Sequence, residues 1–282
     1  MPFLDRSGVR LHYVSRGEPD GGPVVFLHGI TSDSVHAWVE GGAIPYLSAR
    51  PRHGLRFLLL DQRGHGRSDL PAGPEAYTWS ILVEDVLALL DREKIASAHL
   101  VGYSMGAEVA LRLGVASPER VRSLFLGGCG RGAYDKASLS RARARIASRA
   151  ERFRDPDPGM IARRLRSEAG VAKLLADPAW GARARALARA WQGAALGLAQ
   201  AHTLIGADAL GGLHVPCRIA VGSDDPLYGP KAGRASGAAL ARAIPGATYL
   251  EIPGAEHGDA FRRAAFHEAV AGFLPAGRSV GR

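Results

Sequence analysis

A serine hydroxyl attacks a carbonyl only when a base removes its proton and a third group holds that base in the right tautomer. Ser104 stands where such chemistry is feasible. It lies in Gly102-Tyr103-Ser104-Met105-Gly106, directly after the apolar run His99–Val101 and at the start of a helical pattern from Gly106 to Ala116. A sharp strand-to-helix turn there would push the hydroxyl out of the sheet end, and the flanking glycines would relieve the crowding. The helix would point its positive end at negative charge developing on a substrate. A bare G-x-S-x-G is a weak signal; the strand before it and the helix after it make this one strong.

Ten histidines compete for the role of base. His257 stands in Gly254-Ala255-Glu256-His257-Gly258, between the last apolar run and the last helical pattern, so its loop falls at the same sheet end as Ser104. His267 lies inside that final helix and reads as a packing or surface residue. His99 opens a strand, His12 belongs to an edge hairpin, and His36, His53, His202 and His214 have no comparable position. The orienting acid is expected from the loop after the preceding run, Gly222-Ser223-Asp224-Asp225-Pro226. Asp225 is favoured, with Asp224 read as a turn residue or helix cap. Two backbone N–H donors must then meet the oxyanion. Met105, next to the serine, is expected to supply one, and Ile30 in His28-Gly29-Ile30-Thr31 the other. His28 reads as a support for that loop.

The elements that must position these groups follow from periodicity. Apolar runs at Val24–Leu27, Phe57–Leu60, His99–Val101, Ser123–Leu126, Arg218–Val221 and Thr248–Ile252 have strand length and end in turn residues. They alternate with helical patterns at Thr78–Leu90, Gly106–Ala116 and Phe261–Phe273, which predicts a doubly wound α/β sheet, mostly parallel. Val9–Ser15, after the turn Ser7-Gly8, reads as half of an antiparallel edge hairpin. Residues 131–205 carry helix formers and no convincing strand. The predicted organisation is therefore a core over 1–130, a helical insertion over 131–205, and the rest of the core over 206–282.

Composition bounds the alternatives. Apolar residues make up 46% of the chain and charged residues 22%, so a folded core is expected and disorder is not. Cys129 and Cys217 stand in no metal-ligand or paired spacing, so neither a disulfide framework nor a structural zinc is expected. The opening MPFLDRSGVR has no apolar leader, and Trp191–Leu213 is interrupted by Gln192, Gln200, His202 and Asp208. No membrane span is expected, and cytoplasm is the default location. The net charge of +9 resides in residues 131–190, where fifteen basic residues, Lys136 among them, face six acidic ones, including Asp135. Either this surface attracts acidic ligands, or it reflects drift toward arginine. The 32 Arg against four Lys, and runs such as RARAR, favour drift. No nucleic-acid module accompanies the charge, and no nucleic-acid partner is expected.

Five motifs, F-L-H-G-I at 26–30 with Trp38 downstream, D-Q-R-G-H-G-R-S at 61–68, G-Y-S-M-G at 102–106, V-G-S-D-D-P at 221–226 and G-A-E-H-G at 254–258, resemble the α/β-hydrolase fold family in its cap-bearing branch. Their order and spacing match over nearly the whole chain, with 131–205 as the variable cap. The resemblance implies an eight-stranded sheet and the order nucleophile, acid, histidine, which Ser104, Asp225 and His257 satisfy. It implies that Asp61, Arg63 and His65 are structural. Ala107 departs from the family, where many members have another glycine. A serine at the elbow argues against haloalkane dehalogenases and epoxide hydrolases, which carry aspartate there.

The expected function is a carboxylesterase-like serine hydrolase that cleaves an ester or lactone of a small, apolar substrate through an acyl-enzyme. It calls for no metal and no organic cofactor, and its partner is a small-molecule ester. Carbon–carbon hydrolases and cofactor-free perhydrolases use the same three residues. Tyr103 departs from the asparagine common in the former, and G-Y-S-M-G-A-E-V is similar to the latter. A non-catalytic receptor for a small ligand is the alternative of another class. Trp79, Trp180 and Trp191 are candidate pocket residues, each equally readable as packing.

Overall fold

The computed structural model describes residues 2–50, 54–131, 136–154, 157–166 and 168–275, so His53 and Asp135 lie outside the described residues. Its strands are β1 (Phe3–Arg6), β2 (Val9–Gly17), β3 (Gly22–Leu27), β4 (Leu55–Leu60), β5 (Ala98–Tyr103), β6 (Val121–Gly127), β7 (Cys217–Gly222) and β8 (Thr248–Ile252). They form one eight-stranded sheet in the order β1-β2-β4-β3-β5-β6-β7-β8. The expected hairpin is β1 with β2, and β2 also runs antiparallel to β4. All other neighbours are parallel.

Side chains alternate between the two faces of this sheet, and both faces are covered. Val25, Leu27, Leu58 and Leu60 join one cluster with Val86, Leu89 and Leu113. Val24, Phe26, Phe57 and Leu59 join the other with Trp38, Phe266 and Val270. Each full burial of such a side chain is worth about 1.5–3 kcal/mol, and a one-residue slip would turn every side chain to the wrong layer.

The helices are α1 (Ala43–Ser48), α2 (Trp79–Arg92), α3 (Met105–Ala116), α4 (Lys136–Glu151), α5 (Pro158–Leu165), α6 (Glu168–Leu175), α7 (Trp180–Gln200), α8 (Ala207–Gly211), α9 (Gly237–Ala243) and α10 (Ala264–Phe273). The Thr78 side chain caps α2 by accepting the Ile81 N–H. One boundary differs from the sequence pattern. Ala260–Arg262 form a separate 3-10 turn, Arg263 is extended, and the last helix begins at Ala264. The separate turn packs Phe261 against the Tyr103 ring, with centroids 5.1 Å apart.

Between β6 and β7 the described residues form the helices α4 to α8 and no strand. Phe153, Ile161, Leu165, Trp180, Leu187 and Trp191 form a cluster of their own there. Trp180 and Trp191 are therefore packing residues. Polar ties reach back to the sheet: Arg166 pairs with Asp33 at 2.8 Å, and the Trp79 indole N–H donates to the Leu198 carbonyl. Among the described residues no helix is long and apolar enough to cross a membrane.

Candidate active site

Ser104 sits between β5 and α3 with φ 53° and ψ −111°, a conformation that costs a non-glycine residue free energy. The surrounding packing holds it there: its N–H donates to the Gly127 carbonyl at 2.8 Å. Neither flanking glycine has room for a methyl group. A Cβ on Gly102 would lie 2.4 Å from the Gly106 carbonyl oxygen, and one on Gly106 would lie 2.1 Å from that of Leu27. The turn is thus closed by backbone touching backbone, and the hydroxyl is left at the sheet end.

His257 and Asp225 meet it from the loops after β8 and β7. His257 Nε2 lies 2.9 Å from Ser104 Oγ, and His257 Nδ1 lies 2.8 Å from Asp225 Oδ2. The other carboxylate oxygen of Asp225 accepts the N–H groups of Leu227 and Tyr228, which fixes the carboxylate plane. Burial alone would raise the Asp225 carboxyl. The hydrogen bond and charge of His257 and the two N–H donors outweigh burial and hold it below the ordinary carboxylate range. Asp225 is 2% exposed. Asp224, its competitor, points into solvent, and its N–H serves the Ala255 carbonyl.

Tyr103 adds a contact that the motif did not disclose. Its hydroxyl donates to the His257 carbonyl at 2.8 Å, and its ring lies 5.7 Å from the His257 ring. The residue preceding Ser104 thus holds the loop that carries His257. Only the size and polarity of Tyr103 could have hinted at this, since the two residues are 154 positions apart.

Gly29 lies beside Ser104, where a Cβ added to it would be 3.4 Å from that of Ser104, and Ile30 lines the same cavities as the serine. His28 is fully buried. Its Nδ1–H donates to the Gly29 carbonyl, and its Nε2 accepts the Gln62 N–H. In a planar trans peptide the carbonyl of Gly29 and the N–H of Ile30 point in opposite directions. Pinning the first inward therefore turns the second outward. The next residue, Thr31, has φ 67° and donates its N–H to His65 Nε2 at 3.3 Å. Burial, and then the charge of His28, push the His65 pKa down to about 3, which keeps Nε2 an acceptor. Asp61 and Arg63 are likewise buried in structural pairs, with His12 and Asp85.

Two chambers open from Ser104. The larger, about 240 Å3, is walled by Ile30, Tyr103, Phe261, Arg149, Arg152 and Arg164. The smaller, about 50 Å3, is walled by Trp79, Met105, Ile146, Leu198 and Tyr228, with Ile30 and Arg149 shared between the two. Trp79 is thus the one tryptophan of the three named above that reaches either chamber.

A family model described as alpha/beta hydrolase fold matches residues 22–264. Among curated proteins, an epoxide hydrolase of Caballeronia sordidicola is 34% identical over 119 residues, 42% of this chain and 34% of that protein. The chain therefore aligns with only about a third of that relative's length. Among solved structures, the enol-lactonase from Burkholderia xenovorans LB400 is 27% identical with a TM-score of 0.72, covering 97% of this chain and 99% of that one. A thermophilic esterase from Thermogutta terrifontis is 25% identical with a TM-score of 0.70, covering 96% of each chain.

Proposed function

The chain belongs to the α/β-hydrolase fold family, and from that premise we propose that it is a serine hydrolase of carboxylic esters or lactones. The observation that carries this reading is the unbroken contact from Ser104 Oγ through His257 to the buried Asp225, at the junction of two chambers. With Nδ1–H donated to Asp225, the lone pair on Nε2 faces the serine hydroxyl. His257 takes that proton as Oγ bonds to the acyl carbon. The N–H groups of Ile30 and Met105 receive the oxyanion, and the N-terminus of α3 stabilises its charge. The carbon–alkoxide bond then breaks, and the alkoxide leaves with the proton from His257. Water attacks the acyl-enzyme by the same route in reverse, releasing the acid and restoring Ser104.

Serine chemistry also argues for an acyl substrate over an epoxide, the substrate named for one relative. Opening an epoxide with a serine oxygen would leave an ether, which water cannot cleave by addition to a carbonyl. An acyl-serine ester can be released in that way.

The test is labelling with a fluorophosphonate probe, together with turnover of short-chain esters. Wild type should be labelled at Ser104, and Ser104→Ala should stay folded with turnover reduced at least ~10²–10³-fold. Labelling at another serine, or undiminished turnover in the variant, would overturn the assignment.

A further inference from the structure

The helical segment between β6 and β7 carries the chain's net positive charge, and six of its thirteen arginines fall into two contrasting sets. Arg154, Arg163 and Arg166 each pair with a carboxylate, Glu151, Asp157 and Asp33 respectively. Arg149, Arg152 and Arg164 have no carboxylate partner among the described residues, and these three line the larger chamber with Ser104. Arg149, Arg152 and Arg164 converge on the one chamber, Arg149 half-buried and the other two reaching solvent. No Asp or Glu lines that chamber among the described residues. Glu108, which lines the smaller chamber, is committed to Arg112, and Asp225 to His257.

The unpaired set is in electrostatic tension. Burial is the main influence lowering the Arg149 pKa; the Tyr228 charge opposes it, and Arg145, Arg152 and Arg164 add to the lowering. Burial, then Arg152, lowers that of Arg164. His36, on the opposite wall, is held down to about 4 by burial and by Arg262 and Arg166. Bringing these guanidiniums together costs free energy that an anionic ligand would recover. Planar guanidinium forks match the two oxygens of a carboxylate.

We propose that the substrate is an ester or lactone bearing a carboxylate on its longer arm, and that Arg149, with Arg152 and Arg164, recognises this carboxylate in the larger chamber. The proposal rests on the serine-hydrolase reading and replaces the apolar substrate expected from sequence. Arg149 is the specificity-determining residue, because it alone of the three borders both chambers.

The experiment compares monomethyl glutarate with the near-isosteric neutral ester methyl hexanoate. Charge-assisted hydrogen bonds are worth about a tenfold to hundredfold preference. Wild type should therefore favour the anion by at least about tenfold in kcat/KM, with the ratio falling as salt is added. Arg149→Gln should lower that ratio at least about tenfold, and Arg164→Gln should lower it less, with circular dichroism verifying the fold of both. Equal kcat/KM for the two esters in wild type, or an unchanged ratio in Arg149→Gln, overturns the proposal and leaves the hydrolase reading standing. Binding to Ser104→Ala by calorimetry reads the recognition without turnover. If neither ester is hydrolysed and no probe labels Ser104, the hydrolase reading fails. Tighter binding of monomethyl glutarate than of methyl hexanoate then still supports the anion site, and equal binding removes it.

Discussion

Asp225 and Tyr103 differ in how far sequence could disclose them. The loop after β7 offers two adjacent carboxylates, and position relative to the strand is enough to prefer one. The structure separates them by burial and by the two N–H groups that Asp225 accepts. Asp225→Asn should lose up to ~10⁴-fold in turnover because the wrong imidazole tautomer becomes populated. Asp224→Asn should stay within about threefold of wild type, since an exposed side chain contributes little. Turnover of both variants on one ester, with circular dichroism, decides the matter, and a dead Asp224→Asn would exchange the roles. Tyr103 has no such local signature, because its partner lies across the sheet. Tyr103→Phe keeps the ring packing and removes the donor to the His257 carbonyl. A lost hydrogen bond of this kind costs about 1 kcal/mol of stability. Turnover should fall more than KM rises, as the base is held less firmly. Unchanged kcat would mean that the contact only packs.

At the level of elements, the inner strands were legible because a sheet covered on both faces turns β3 to β7 into short apolar runs. The helix α2 was legible from the apolar period over Thr78–Leu90, a local signal of the same kind. The last helix was less so, since Ala260-Phe261-Arg262 has helix-compatible composition yet forms a separate 3-10 turn, with Phe261 packed on Tyr103. Close backbone approach at the elbow makes a sharp prediction. Gly106→Ala must push its methyl against the Leu27 carbonyl, at the root of the loop that carries Ile30. The expected loss is at least about 2–3 kcal/mol in urea unfolding, the range of an overpacked core. Thr78→Ala, by contrast, removes one cap and should cost about 1 kcal/mol. If the two variants unfold alike, the elbow is looser than its contacts imply.

Over the whole molecule, Asp61 joins segments far apart in the chain. It pairs with His12 of β2 and accepts the N–H groups of Ser34 and Arg67. Burial would raise its pKa, but the His12 bond, the His28 charge and those two donors win and lower it to about 2. A depressed folded value means that its contribution is complete above the ordinary carboxylate range and is lost as pH falls through about 2. That contribution is on the order of 2 kcal/mol. Unfolding measured from pH 5 to pH 2 should show it, and Asp61→Asn should flatten that stretch while lowering stability at pH 7. A wild-type curve no steeper than that of the variant would refute the assignment. The charge of the helical segment was countable from sequence, and the Arg154 and Arg163 pairs are local to it, whereas the pair of Arg166 with Asp33 joins residues 133 positions apart.

The unequal chambers at Ser104 make the site a caliper. At about 10–15 Å3 per water-sized group, the smaller one, about 50 Å3, holds roughly three to five non-hydrogen atoms. An ester has two arms, and only one of them can be measured against that stop. Lengthening each arm in turn, one methylene at a time, should leave one series nearly flat. The other should break off abruptly after about three to five atoms. The arm that breaks off is the one that enters beside Trp79, and its identity fixes whether the acid or the alcohol is the product released from the arginine-lined side.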